Sequence, residues 1–140
     1  MDFVRKTILI VDDDADDREL FAEAVKAADV SAQCIYAING FNALELLSLT
    51  GMTTPDFIFL DLNMPLMDGK ECLIHLRRLS GLKDIPVIIL STSFLAEDKT
   101  ETLKLGASLY FTKPSTFDKL VNTVQFVLAE EWKNIEEFRY

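Results

Sequence analysis

The chain has 140 residues, 49% of them hydrophobic, enough for one core and too few for a second folded domain. Its net charge of −9 offers no basic face to follow a phosphate backbone, which argues against direct nucleic-acid binding and in favour of protein partners. Cys34 and Cys72 lie far apart and His75 is the only histidine, so neither a disulfide framework nor a zinc site is expected, and a reducing, cytoplasmic setting fits best. The opening MDFVRKTILIVDDD has too short an apolar run for a signal peptide, and no window reaches the length of a membrane span.

Taken in chain order, Thr7 to Val11 (TILIV) has the length and residue types of a first strand. A helix follows, with Leu20, Phe21, Ala24, Val25 and Ala28 on one face. Gln33 to Ala37 (QCIYA) is a weaker second strand ending at the turn signal Asn39-Gly40, and Ala43 to Leu49 is a short apolar helix. Asp56 to Leu60 (DFIFL) is the third strand, and Lys70 to Leu79 repeats Leu73, Leu76 and Leu79 at helical spacing. Val87 to Leu90 is the fourth strand; the helix Ala96 to Leu105 stops at Gly106, a C′ glycine. Leu109 to Thr112 is the fifth strand. Ser115 or Thr116 can then cap a last helix whose buried stripe is Phe117, Leu120, Val121, Val124, Val127 and Leu128. The tail EEWKNIEEFRY reads as an overrun of that helix, with Trp132 and Ile135 patching the surface; partner binding or self-association is the other use for it. The core is expected over about residues 6–128, with 129–140 a helical extension of one domain, and the chain is expected to be a whole single-domain protein rather than an excised piece.

Strands alternating with helices, several of them apolar on both faces, imply a doubly wound α/β domain with a parallel sheet covered on each side. Ligands in such sheets bind beyond the carboxyl ends of the strands. Asp12 and Asp13 follow the first strand, Asp61 the third, Ser91 and Thr92 the fourth, and Lys113 the fifth. Carboxylates gathered at one edge repel one another unless a cation neutralises them. Oxygen ligands alone select Mg²⁺ over zinc, and Mg²⁺ keeps part of its shell for water and a phosphoryl oxygen. Lys113 and Ser91 supply a charge and a donor for a phosphoryl group, so one carboxylate can serve as its acceptor.

These residues carry a resemblance. ILIVDD, DLNMPLMDG, PVIILST and YFTKP, in this order across about Lys6 to Leu128, resemble the receiver domain of bacterial two-component response regulators. The resemblance implies a flavodoxin-like five-stranded sheet of order 2-1-3-4-5. It implies that Asp61 is phosphorylated by a sensor histidine kinase or a histidine phosphotransfer protein. Asp13, Asp61 and the backbone carbonyl of Asn63 would ligate Mg²⁺, with Asp12 assisting through water, and Lys113 and Ser91 would contact the phosphoryl group. Tyr110 would be the aromatic switch partner of Ser91, and the Lys113–Pro114 peptide would be cis. A downstream protein would read the surface made by the fourth helix, fifth strand and fifth helix, which, with the C-terminal extension, is also where a homodimer would form. The resemblance implies a switch, not an enzyme beyond its own phosphorylation and dephosphorylation. Departures are Ser91 where threonine is also common, Thr92 at the small position after it, and Ser115 where an aromatic is frequent; the lifetime of the phosphorylated state would depend on side chains such as Asn63 and Ser93.

Plainer roles suit several neighbours. Asp14, Asp16 and Asp17 fit a helix start, where acids meet the positive dipole end. Asp68-Gly69 fits a turn and cap, with Met64, Pro65 and Met67 shaping the loop, and His75 fits a helix surface. Two other functions are consistent with the residues. One is a Mg²⁺-dependent phosphohydrolase using Asp12 and Asp14 as a D-x-D pair; the other is an unphosphorylated docking module.

Overall fold

A computed structural model describes residues 5–49 and 54–135. Ten elements alternate: β1 Thr7–Val11, α1 Ala15–Ala28, β2 Gln33–Ala37, α2 Gly40–Ser48, β3 Phe57–Asp61, α3 Gly69–Arg78, β4 Val87–Ser91, α4 Ala96–Lys104, β5 Leu109–Thr112 and α5 Phe117–Ala129, followed by a 3₁₀ turn, Glu131–Asn134. All strand pairs are parallel and the order is β2-β1-β3-β4-β5, so the expected doubly wound sheet is present.

The pleat divides the core in two. Leu9, Val11, Ile58, Leu60 and Ile89 face Ala43, Leu73 and Leu76 of α2 and α3. Ile8, Ile10, Phe57, Phe59 and Ile88 face Phe21, Val25, Val124 and Val127 of α1 and α5, with the Phe21 and Phe59 rings 4.7 Å apart. β1, β3 and β4 are buried along their whole length, which is why they read as continuous apolar runs. Each fully buried Leu, Ile or Phe contributes about 1.5–3 kcal/mol.

Several boundaries differ from the sequence reading. α2 begins at Gly40, three residues before Ala43, because Asn39 is an N-cap whose side chain accepts from the Asn42 amide at 2.8 Å; Asn39-Gly40 opens a helix and is not a free turn. β3 and β4 extend one residue further, so Asp61 and Ser91 are held as the last residues of rigid strands. Within the described residues the tail does not prolong α5, while 136–140 of the expected extension lie outside them. Glu130 adopts a left-handed conformation (φ 61°), the chain reverses, and Trp132 is buried in the α1/α5 core with its indole N–H donating to the Val127 carbonyl at 2.9 Å. Ile135 is exposed as expected. Gly106, at φ +109°, is the expected glycine after α4, and Thr116, rather than Ser115, caps α5. Among the described residues, no helix is long and apolar enough to cross a membrane.

Candidate phosphoacceptor and metal site

The carboxyl ends of β1, β3 and β5 bring the predicted residues together. Asp12 is buried just past β1, where its carboxylate accepts the Asp14 amide at 2.9 Å while the Arg18 guanidinium donates to its carbonyl at 2.8 Å. Asp61 is buried at the end of β3, and Asp13 is exposed beside it. Ligating oxygens of Asp12, Asp13 and Asp61 all lie within 4.8 Å of one another, a spacing that one divalent cation can bridge. Lys113, entering from the end of β5, places Nζ 3.2 Å from Asp12, 3.1 Å from Asp17 and 3.7 Å from Asp61.

Burial and mutual repulsion make the carboxylates of this cluster costly to ionise. Burial pushes the Asp61 carboxyl up to about 6; Lys113 opposes the shift and the Asp12 and Asp13 carboxylates reinforce it. Burial likewise raises Asp12, against the pull of the Asp14 amide and Lys113. Burial disfavours the Lys113 ammonium too, yet Asp61, Asp12 and Asp17 together outweigh it and hold the lysine above its ordinary value. A hard divalent ion would relieve the carboxylate crowding, and the all-oxygen donor set fits Mg²⁺ or Mn²⁺.

Ser91 is fully buried, its Oγ accepting from the Ser93 amide at 3.0 Å, and its carbonyl accepts the Lys113 amide at 2.7 Å. Tyr110 is half-buried and donates its hydroxyl to the Ser93 carbonyl at 3.1 Å. Ser93 Oγ also donates to Asp98, which pairs with Lys70. Asn63 is exposed in the β3–α3 loop; its amide donates to Asp61 at 3.3 Å and its side chain to the Thr92 hydroxyl at 3.3 Å.

Several expectations change here. All described peptide bonds are trans, including Lys113–Pro114, in keeping with the preference of the X-Pro bond itself. Asp14 is the N-cap of α1, accepting from the Asp17 amide at 3.0 Å, and lies outside the carboxylate cluster, so the D-x-D pair of a phosphohydrolase is not assembled. Asp17, read as a dipole acid, instead holds Lys113; helical spacing puts it one turn from the strand end, but its partner is distant in sequence. Gly69 was read only as part of a cap. It sits under Asp61, where a Cβ would lie 2.5 Å from the Asp61 carbonyl oxygen. His75 is exposed on α3, in line with its plain reading, and burial raises the Cys72 thiol to about 12.

Comparison with known proteins agrees with this geometry. The Response regulator receiver domain family matches residues 8–125. Response regulator Rcp1 of Synechocystis is 33% identical over 124 residues, covering 86% of this chain and 84% of its own. The phosphate regulon transcriptional regulatory protein PhoB of Pseudomonas aeruginosa is 37% identical over 125 residues, covering 89% of this chain, which spans only 52% of that relative. Among solved structures, the phosphorylated cyanobacterial phytochrome response regulator RcpA superposes with a TM-score of 0.82 at 30% identity, covering 94% of this chain and 96% of its own. The Mn²⁺-bound form of Rcp1 gives 0.77 at 32% identity, covering 91% and 94%. A sheet of order 2-1-3-4-5, a cluster of three carboxylates at its carboxyl edge and sequence kinship over most of the length lead to one conclusion: the chain belongs to the response regulator receiver domains and is a phosphorelay receiver.

Proposed function

We propose that Asp61 accepts the phosphoryl group, in a Mg²⁺-dependent reaction, from a sensor histidine kinase or a histidine phosphotransfer protein. The observation that carries this reading is the setting of Asp61: a buried carboxylate at a strand end, grouped with Asp12 and Asp13 within 4.8 Å and with the Lys113 ammonium 3.7 Å away. Asp13, Asp61 and the Asn63 carbonyl would hold the metal, with Asp12 reaching it through water. Mg²⁺, when bound, neutralises charge between the carboxylate and the phosphoryl oxygens.

In the transfer, an Asp61 carboxylate oxygen bonds to phosphorus as the P–N bond of a phosphohistidine breaks and the imidazole departs with the bonding pair. Lys113 offsets charge on the transferring oxygens. The Ser91 hydroxyl, whose oxygen accepts from the Ser93 amide, turns to donate its O–H to a phosphoryl oxygen and leaves that amide. That exchange disturbs Ser93, whose carbonyl anchors Tyr110 and whose hydroxyl anchors Asp98 on α4. Phosphorylation thus biases the α4–β5–α5 surface, where a downstream protein or a second copy of the chain would bind, with the C-terminal turn as a further dimer contact. The domain works as a cytoplasmic switch, its own chemistry limited to phosphorylation and dephosphorylation.

Incubation with acetyl phosphate and Mg²⁺ tests the reading. The wild-type protein gains the mass of one phosphoryl group and Asp61→Asn gains none; an equal gain in the variant overturns the assignment.

A further inference from the structure

Lys113 is held by one more carboxylate than its work on Asp61 calls for. Its two hydrogen-bonded partners are Asp17 at 3.1 Å and Asp12 at 3.2 Å, whereas Asp61, at 3.7 Å, lies beyond hydrogen-bond distance. The two closer partners differ in freedom. Asp12 is pinned through its carboxylate by the Asp14 amide and through its carbonyl by Arg18, and its side chain is 11% exposed. Asp17 projects from the first turn of α1 with its side chain 47% exposed and belongs to the pair with Lys113, not to the Asp12, Asp13 and Asp61 cluster.

We infer that Asp17 is a positioning residue that competes with the phosphoryl group for Lys113. The inference rests on the assignment of Asp61 as phosphoacceptor. A phosphoryl group there adds about −1.5 to −2 charge at the end of β3, and the ammonium must move from the α1 side of the pocket toward it. Asp12 belongs to both groups, bonded to Lys113 and clustered with Asp61, so its pair with Lys113 need not be given up. Asp17 lies on the α1 side only, so contact with the phosphoryl oxygen is gained at the expense of the Asp17 pair. Its half-exposed carboxylate takes up water readily once released, which makes this a soft restraint: it holds Lys113 in the resting state and lowers the affinity of the site for a phosphoryl-like anion. For an ion pair of this exposure the expected size is about two- to fivefold.

Beryllofluoride, a non-covalent tetrahedral mimic of the phosphoryl group, provides the test when titrated into the full chain with Mg²⁺ and followed by amide NMR shifts. Asp17→Asn should bind about two- to fivefold more tightly than wild type. Asp17→Glu, which keeps the carboxylate, should stay near wild type. Asp16→Asn removes the same charge from the neighbouring residue and should change the affinity much less. The Lys113 side-chain resonance should shift in unliganded Asp17→Asn and not in Asp16→Asn. If Asp17→Asn binds no more tightly than Asp16→Asn, or less tightly than wild type, the competition is overturned. Failure of the underlying reading looks different: Asp61→Asn would then bind the mimic as well as wild type, or wild type would not bind it, and the inference would fall with the assignment.

Discussion

The carbonyl oxygen of Asp61 lies 2.5 Å from where a Cβ on Gly69 would stand, and the Leu62 Cα lies 2.6 Å from the same point. The Gly69 amide also donates to the Leu62 carbonyl at 2.9 Å, so the start of α3 is seated on the backbone at the end of β3. Both blocking atoms are backbone and cannot rotate aside. Gly69→Ala should therefore displace the end of β3, costing about 1–3 kcal/mol in urea unfolding and slowing phosphorylation from acetyl phosphate. Unchanged stability with an unchanged rate would contradict this seating.

Asp61 links the site to pH. Its carboxyl titrates near 6 in the folded protein against 3.8 for the free side chain, because burial disfavours the ionised form. A raised carboxyl pKa means that the folded state binds the proton more tightly than the unfolded state. The ionised group therefore opposes folding above pH 6, and the opposition is relieved as pH falls from 7 through 6 toward 4. Without divalent metal, Asp61→Asn should be more stable than wild type at pH 7, by up to about 3 kcal/mol, and the gap should close on acidification. Added Mg²⁺ should stabilise wild type more than the variant, and more at pH 7.5 than at pH 5.5. Urea titrations with and without chelator check both signs; a gap that widens as pH falls would refute the assignment of burial as its cause.

Arg77 is a half-buried guanidinium whose hydrogen bonds all go to backbone carbonyls. It donates to Gly106 at 3.0 and 2.7 Å, to Leu82 at 3.1 Å and to Ile85 at 2.9 Å, joining the end of α3 to the turns before β4 and β5. Burial lowers its pKa, with Asp84 opposing. Arg77→Ala should cost about 2–4 kcal/mol by stranding these carbonyls, and Arg77→Lys should recover little, since a point ammonium cannot span the fork. The extent of acetyl phosphate labelling of the folded fraction should not change, as Arg77 lies at the opposite edge of the sheet from Asp61.

The elements that sequence reveals and those it conceals differ in physical kind. β1, β3 and β4 were readable because burial on both faces demands unbroken apolar runs. Asp12, Asp61 and Ser91 stand out because polar groups buried at the ends of such runs are costly without a purpose, whereas Asp13 is exposed and Lys113 follows the partly buried β5, so those two stand out only by their place at the same strand ends. Gly40 looked like half of a turn because its reason for being glycine is tertiary: a Cβ would stand 2.7 Å from the Met67 sulfur. Trp132 looked like surface because the reversal that buries it occurs at Glu130, a left-handed residue with no glycine to announce it. Asp17 looked like a helix-dipole acid because Lys113, the partner that gives it a role, is placed only by the folding of β5 beside β4.

Ser93 does for α4 what no cap residue does. The residue preceding that helix is Leu95, which makes no side-chain cap bond, and the Ser93 hydroxyl accepts the Leu95 amide at 3.2 Å while donating to Asp98 one turn into the helix. Lys70 of α3 then secures Asp98 at 2.7 Å and also pairs with Glu101. The start of α4 is therefore fastened by side chains from outside the helix, one of which, Ser93, meets the Ser91 hydroxyl through its amide. Ser93→Ala removes the hydroxyl and keeps the amide and carbonyl that meet Ser91 and Tyr110. It should destabilise the protein by about 1 kcal/mol and speed hydrogen exchange across the first turn of α4, with exchange in β1 and β3 altered no more than that global loss requires. Because the resting restraint is weakened, beryllofluoride should also bind Ser93→Ala more tightly than wild type. Faster α4 exchange without tighter binding would show that the fastening of α4 and the occupancy of the phosphoacceptor site are energetically separate.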